Sequence, residues 1–290
     1  MLTDLTALRE SRDGHPIRLV VADMDGTLLD ADGVVPDRLW PLLDLMHERG
    51  IAFCPASGRQ YATLLRLFSS HSEGMVFIAE NGAFVVRDDV EVSSDPIEAQ
   101  VVGDLVATTR RLSADGTDLG AVLCGTRTAW VERHDEAFMA QLRPYYASIE
   151  EVSDLGAVTD DIVKVAVHAL DRSEHVAAGL SAFAGTHQVV VSSPSWVDVM
   201  KRGTNKGAAL RRLQDSLGVS PDETVVFGDY LNDLEMLDEA TLSFAMDNAH
   251  ADVLERARHR APSNRDHGVV HVLETLLAPH SPEMARTDPR

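Results

Sequence analysis

Cysteine is nearly absent: Cys54 and Cys124 are the only two in 290 residues, too few for a disulfide framework and without metal-ligand spacing. Lysine is almost as scarce, at Lys164, Lys201 and Lys206 alone. Basic charge is short overall, with 26 Lys and Arg against 46 Asp and Glu, a formal net charge of −20. Nucleic acids and anionic membranes both need a basic footprint, so neither is an expected partner. No apolar run approaches the roughly 18 residues of a membrane helix. The opening Met1-Leu2-Thr3-Asp4-Leu5 lacks the basic-then-apolar layout of a signal peptide. Neither GxGxxG nor a P-loop occurs, so dinucleotide binding and NTP hydrolysis have no support. The expectation is a cytoplasmic protein, a monomer or homodimer. What is present is a globular composition, 44% hydrophobic and 25% charged, and enough chain for about two domains.

Residues 1–15 are polar and read as a loose arm, and 279–290, rich in Pro and charge, as a disordered tail. Between them, Ile17–Ala22 is a short apolar run suited to a strand buried on both faces. A helix comes next, with Pro36 at its entry, Leu39, Leu42, Leu43 and Met46 on one side, and Gly50 closing it. Ile51–Cys54 and Met75–Ala79 read as further strands, with a helix over Tyr61–Phe68 between them. This alternation implies parallel βαβ units. From Phe84 to Ser195 the pattern becomes α+β. Strands are expected near Phe84–Val86, Ala121–Leu123, Ala129–Glu132, Ile162–Ala169 and Gln188–Ser192, and helices at Pro96–Leu112, Glu136–Tyr146 and Ser173–Phe183. Alternation resumes with a helix from Lys206 to Leu217 and strands at Thr224–Phe227 and Leu242–Ala245. The predicted fold is α/β: a Rossmann-like parallel sheet with helices on both faces, formed by 1–83 and 196–278 and interrupted by an α+β unit at 84–195.

Polar residues end strand after strand: Asp23 and Asp25, Ser57, Asn81, Asp229. In open parallel sheets ligands bind at that edge. Asp23 and Asp25, two apart, project to one side of extended backbone. Adjacent carboxylates repel unless a cation lies between them. Gly26 allows a tight turn, and Thr27 can cap the next segment. An Asp-rich turn closing a strand is the plainer alternative. Asp229 and Asp233, at i and i+4, share one face if a helix starts there, where N-capping competes with metal binding as their role. Two acidic clusters on one sheet edge supply hard oxygen ligands in the number Mg²⁺ usually takes from protein. Lys206 opens a helix, where a cation opposes the dipole unless an anion meets it.

Asp23-Met24-Asp25-Gly26-Thr27, Ser57-Gly58-Arg59, Lys206-Gly207 and Gly228-Asp229-Tyr230-Leu231-Asn232-Asp233, in this order, resemble the four motifs of the haloacid dehalogenase-like hydrolases. Glu80-Asn81-Gly82-Ala83 is similar to the corresponding segment of their Cof-type, class IIB phosphatases. The resemblance spans about residues 17–278. It departs at Asp247, where Gly is usual, and at Cys54-Pro55-Ala56, where smaller or hydroxyl residues are.

The resemblance implies a Mg²⁺-dependent phosphatase acting on a small phosphorylated metabolite, a sugar phosphate or cofactor-type phosphomonoester. Asp23 would be the nucleophile, forming an aspartyl-phosphate, and Asp25 the general acid and base. Mg²⁺ would be held by Asp23, the Asp25 carbonyl and Asp229, with Asp233 near. Ser57, Lys206 and Asn232 would hold phosphate oxygens. The inserted unit would be a cap hinged near Gly82–Val86 and Ser193–Val197, with Arg127, Trp130, Arg133 and His134 toward the leaving group. A phosphomutase with the same nucleophile is the alternative activity, and a non-catalytic phospho-ligand-binding protein a third reading. His267 and His271 have i, i+4 spacing without a third ligand and are expected to be surface or core residues.

Overall fold

The computed structural model describes residues 2–11, 16–170 and 172–278. Its first element is a helix, α1 (Leu5–Ser11), which lays Leu5 and Leu8 against the core. Thr3 also ties this segment down, its hydroxyl accepting from the Arg260 N–H at 2.8 Å. The loose arm expected at 1–15 is therefore helical and packed over Leu5–Ser11, because Leu5 and Leu8 share a helix face. Residues 12–15 and the expected tail at 279–290 lie outside the described residues.

The expected alternation comes next: β1 (Leu19–Asp23), α2 (Leu39–Glu48), β2 (Ala52–Ala56), α3 (Tyr61–Leu67) and β3 (Val76–Ala79). A hairpin succeeds them, β4 (Phe84–Arg87) and β5 (Val90–Ser94). It turns through Asp88 and Asp89, both at positive φ, the geometry a two-residue hairpin loop requires. The chain then builds α4 (Ala99–Ala114), β6 (Gly120–Gly125), β7 (Ala129–Val131), α5 (Glu136–Leu142) and β8 (Ile149–Glu151). After these come β9 (Ile162–His168), α6 (Ser173–Gly179), β10 (His187–Ser193) and β11 (Trp196–Lys201). It closes with α7 (Lys206–Leu217), β12 (Thr224–Gly228), α8 (Leu234–Asp238) and β13 (Leu242–Met246). Last come α9 (Ala251–Arg256), β14 (His259–Ala261) and α10 (Gly268–Leu276).

Two sheets result. The eight-stranded one runs β14-β13-β12-β1-β2-β3-β4-β5. It is parallel from β14 to β3 and antiparallel through the β4–β5 hairpin. Side chains alternate across it. Val20 and Ala22 face the core shared with α1, α2, α3 and α10, and Leu19 and Val21 that of α7, α8 and α9. The six-stranded sheet runs β10-β11-β9-β6-β7-β8, with Leu105 of α4 and Val176 of α6 on one face and Phe138 and Leu142 of α5 on the other. The fold is thus α/β with a helix-flanked parallel core, as expected.

The passages between the sheets fall later than the expected 83/84 and 195/196. β4 and β5 extend the large sheet, and Trp196–Lys201 belongs to the small one. Strand patterning reports burial but not pairing partner, which is why both boundaries are displaced. The two crossing segments meet at Asp95, whose carboxylate accepts from Thr204 Oγ1 at 3.3 Å and Arg212 Nη2 at 2.7 Å.

Candidate active site

β1 sits between β12 and β2, where the strand order reverses direction, so a crevice opens at its carboxyl end. The in-register pair Ala22–Phe227 brings the ends of β1 and β12 together, and with them Asp23 and Asp229. The chain leaves β1 through a turn at Met24–Leu28, with Gly26 at φ +85°. A Cβ on Gly26 would stand 2.3 Å from Asp229 Oδ2, so glycine is required both by conformation and by space. Thr27, expected to cap the next segment, instead donates to Asp229 Oδ1 at 2.8 Å.

Lys206 is the first residue of α7 and is fully buried. Its Nζ donates to Asp23 Oδ1 and, at 2.7 Å, to Asp233 Oδ1, which answers the unfavourable dipole with two anions. Gly207 lets α7 approach α8 closely, since a Cβ there would lie 2.5 Å from the Glu235 backbone. Asp233 is buried as well, its Oδ2 accepting from the N–H groups of Asp229 at 3.0 Å and Tyr230 at 3.2 Å.

Ligand atoms of Asp23, Asp229 and Asp233 all come within 4.8 Å of one another. Burial above all, then Asp233, pushes the Asp23 carboxyl well up against the pull of Lys206. Burial likewise raises Asp229 to about 6, with Asp233 adding to the rise and the Thr27 hydrogen bond opposing it. Burial works against charge on Lys206, but Asp23 and Asp233 more than offset it and raise its pKa. Three carboxylates thus gather about one ammonium, which two of them hold directly. An oxygen-only donor set with surplus negative charge fits a hard divalent cation such as Mg²⁺. Both oxygens of Asp233 are already engaged by the protein, which leaves Asp23 and Asp229 the freer donors.

The other expected residues gather at the same edge. Asp25 is exposed, and Arg59 grips it with two bonds of 2.8 and 2.5 Å. Ser57, buried at the end of β2, accepts from the Arg59 N–H at its Oγ, 3.2 Å. Asn232 donates to Asn81 Oδ1 at 3.2 Å. Glu80 and Asn81 are both left-handed, at φ 51° and 56°. Two such non-glycine residues in a row are strained backbone of the sort functional sites retain. Of the expected phosphate-holding residues, Ser57 and Asn232 line the cleft and Lys206 lies beneath it. Sequence reasoning assigned no role to Arg59 or Asn81, although both stood in quoted segments. Asn248 was missed too; its Nδ2 donates to the Gly26 carbonyl at 2.8 Å.

The cleft between the two sheets measures about 520 Å³ and runs from Asp23 and Asp25 to Tyr145, Lys164 and Trp196. Lys164 of β9 reaches across it to Glu80, Nζ to Oε2 2.5 Å, and donates to the Gly58 carbonyl at 3.1 Å. Arg127, Trp130, Arg133 and His134 do not line it. Arg127 pairs with Asp89, Trp130 donates to Asp160, and Arg133 pairs with Asp118 and Asp135. All four lie on or beside β7, whereas the strands that face the cleft are β9, β10 and β11. Cys54 and Cys124 are buried, and burial pushes both thiols up, which makes them inert. No described helix is long and apolar enough to cross a membrane.

The chain is 32% identical over 270 residues to a 5-amino-6-(5-phospho-D-ribitylamino)uracil phosphatase of Escherichia coli K12, covering 92% of this chain and 98% of that one. It is 26% identical to an HMP-PP phosphatase of an Enterobacter species, across 92% of this chain and 99% of that one. A solved structure from Thermotoga maritima superposes with a TM-score of 0.78 at 26% identity, covering 89% of this chain and 97% of that one. A haloacid dehalogenase-like hydrolase from Bacteroides thetaiotaomicron shares the fold, with a TM-score of 0.80 at 23% identity over 89% of this chain and 98% of that one. A family model for haloacid dehalogenase-like hydrolases matches residues 20–273, and the chain belongs to that family.

Proposed function

We propose that the protein hydrolyses the phosphomonoester of a small phosphorylated metabolite, with Asp23 as nucleophile. The observation that carries this reading is the Asp23 carboxylate itself. It sits at the floor of the cleft, fixed from below by the buried Lys206 and flanked by Asp229. A carboxylate so held presents one oxygen to an incoming phosphorus without reorganising. The phosphatase names of relatives covering nearly the whole chain support the same class.

In this scheme Asp23 attacks phosphorus and the ester oxygen departs with a proton from Asp25. Asp25 then takes a proton from the water that opens the aspartyl-phosphate. Arg59 holds the Asp25 carboxylate with its two-pronged bond and so fixes it at the edge of the cleft. Ser57, Asn232 and, from beneath, Lys206 hold the phosphoryl oxygens. Asp23, the Asp25 carbonyl and Asp229 would hold Mg²⁺, with Asp233 orienting Lys206 and the 229–230 backbone behind them. When bound, Mg²⁺ supplies positive charge that offsets repulsion between an anionic nucleophile and an anionic phosphate. The six-stranded unit acts as the cap, roughly residues 95–201, closing the cleft from above.

The test is phosphate release from a panel of phosphomonoesters with and without Mg²⁺, for the wild-type protein and Asp23→Asn. Mg²⁺-dependent release that the substitution abolishes is expected. Release that persists in folded Asp23→Asn would sink the reading. An isomerised sugar phosphate appearing without free phosphate would identify a mutase instead.

A further inference from the structure

Exposed apolar side chains are concentrated in one place. Five of the nine large apolar residues exposed among the described residues line the cleft: Tyr145, Val190, Val191, Tyr230 and Leu231. Tyr230 is 55% exposed and Tyr145 43%. Three of the chain's four tyrosines, Tyr145, Tyr146 and Tyr230, stand here with Trp196. The fourth, Tyr61, is buried in the core. Such a cluster inside a concavity, next to reactive carboxylates, marks a ligand surface and not incidental exposure.

The cluster has two sides. Val190, Val191 and Trp196 come from the β10–β11 hairpin, while Tyr230 and Leu231 directly follow Asp229 on the opposite unit. Trp196 is braced by edge-on contacts with His168 at 4.9 Å and Tyr145 at 5.9 Å. It therefore offers a fixed ring at little entropic cost. The two cations lining the cleft are already committed, Arg59 to Asp25 and Lys164 to Glu80. A second anionic group on the substrate would find no free counter-ion there, and an open polyol would leave the apolar walls unused. Ser192 and Ser193 add neutral hydrogen-bonding groups at the rim.

Resting on the phosphatase reading above, we propose that the leaving group carries an uncharged planar ring with heteroatoms at its edge. The ring is received between Tyr145 and Trp196 on one side and Tyr230 and Leu231 on the other. Tyr145 and Tyr230 are then specificity-determining residues, acting on the part of the substrate remote from phosphorus.

Matched esters test this. Uridine 5′-monophosphate against ribose 5-phosphate, and riboflavin 5′-phosphate against ribitol 5-phosphate, each keep the same primary ester and differ in the ring. The expected kcat/KM is at least tenfold higher for the ring-bearing member of at least one pair, chiefly through KM. Tyr145→Ala and Tyr230→Ala should cut that advantage fivefold or more, and Tyr145→Phe should keep it. Circular dichroism confirms that each variant is folded. No ring advantage in either pair, or an advantage both alanine variants retain, overturns the proposal. If no ester is hydrolysed, the phosphatase reading fails separately, and calorimetric binding of the same four compounds with Mg²⁺ decides. Tenfold tighter binding of a ring-bearing member supports the ring site, and equal binding within both pairs overturns it.

Discussion

Gly26 shows how much of the site depends on one missing methyl group. Gly26→Ala would strain a φ of +85° and press a Cβ into Asp229. The expected cost is about 1–3 kcal/mol of stability, seen in urea unfolding, together with weaker Mg²⁺ binding by calorimetry. Two histidines set a pH dependence. Burial foremost lowers His168, with Arg133 adding, and burial lowers His259 beside Arg258. Both stay neutral in the fold while the unfolded chain takes up protons near pH 6.5. The histidine contribution to stability is therefore full above about pH 6.5 and is lost as pH drops from there toward the depressed native values. Asp23 and Asp229, raised by burial, act in the opposite sense. Between pH 7.5 and 5, His168→Gln with His259→Gln should lose less stability than wild type, or gain more, in urea unfolding. A slope identical to wild type would remove the assignment. At this scale the sequence showed which residue types gather at the strand ends but not who holds whom. Arg59 lies 34 positions from the Asp25 it grips, and Lys206 183 positions from Asp23. Such partnerships depend on the fold and leave no local pattern.

Elements were legible where their signals are local. The helix at Lys206–Leu217 was placed to the residue, because Asn205 caps it and Gly218 ends it in a left-handed turn. The short strands β5, β8 and β14 and the helix α10 were not anticipated. Strands of three to five residues carry too little alternation to separate from loop. α10 begins after His267 at φ 53° without a side-chain cap. Between elements, the pair Lys164–Glu80 ties β9 of the small sheet to the end of β3 in the large one. Burial opposes charge on Lys164, and Glu80 more than offsets it. The Glu80 carboxylate accepts no other hydrogen bond among the described residues. Lys164→Met would leave that carboxylate buried alone, at a cost of about 3–5 kcal/mol. Lys164→Met with Glu80→Gln should recover most of it. Additive losses in a urea double-mutant cycle would show that the two do not act as a pair.

The whole molecule carries −20, a field that repels a phosphate ester before Lys206 and a bound cation can act. Added salt shortens the reach of that repulsion from about 30 Å at 0.01 M to about 8 Å at 0.15 M. At saturating Mg²⁺, kcat/KM for an anionic ester should therefore rise with KCl over this range. A fall would mean that attraction dominates the approach. The α/β class was readable from alternation alone, and the interruption from its loss. The passages between sheets were not, since a strand's sequence does not name the neighbour it pairs with.

That interruption also sets a timetable. β1 leaves the ribosome long before its β12 neighbour has been made. Thr27 waits 202 positions for Asp229, roughly 10–40 s at about 5–20 residues per second. The six-stranded unit is contiguous in the chain and can close while the large sheet is still half built. The reactive centre is thus completed only after the six-stranded unit has been made, and a nascent chain stopped before α7 holds Asp23 without the lysine that aims it.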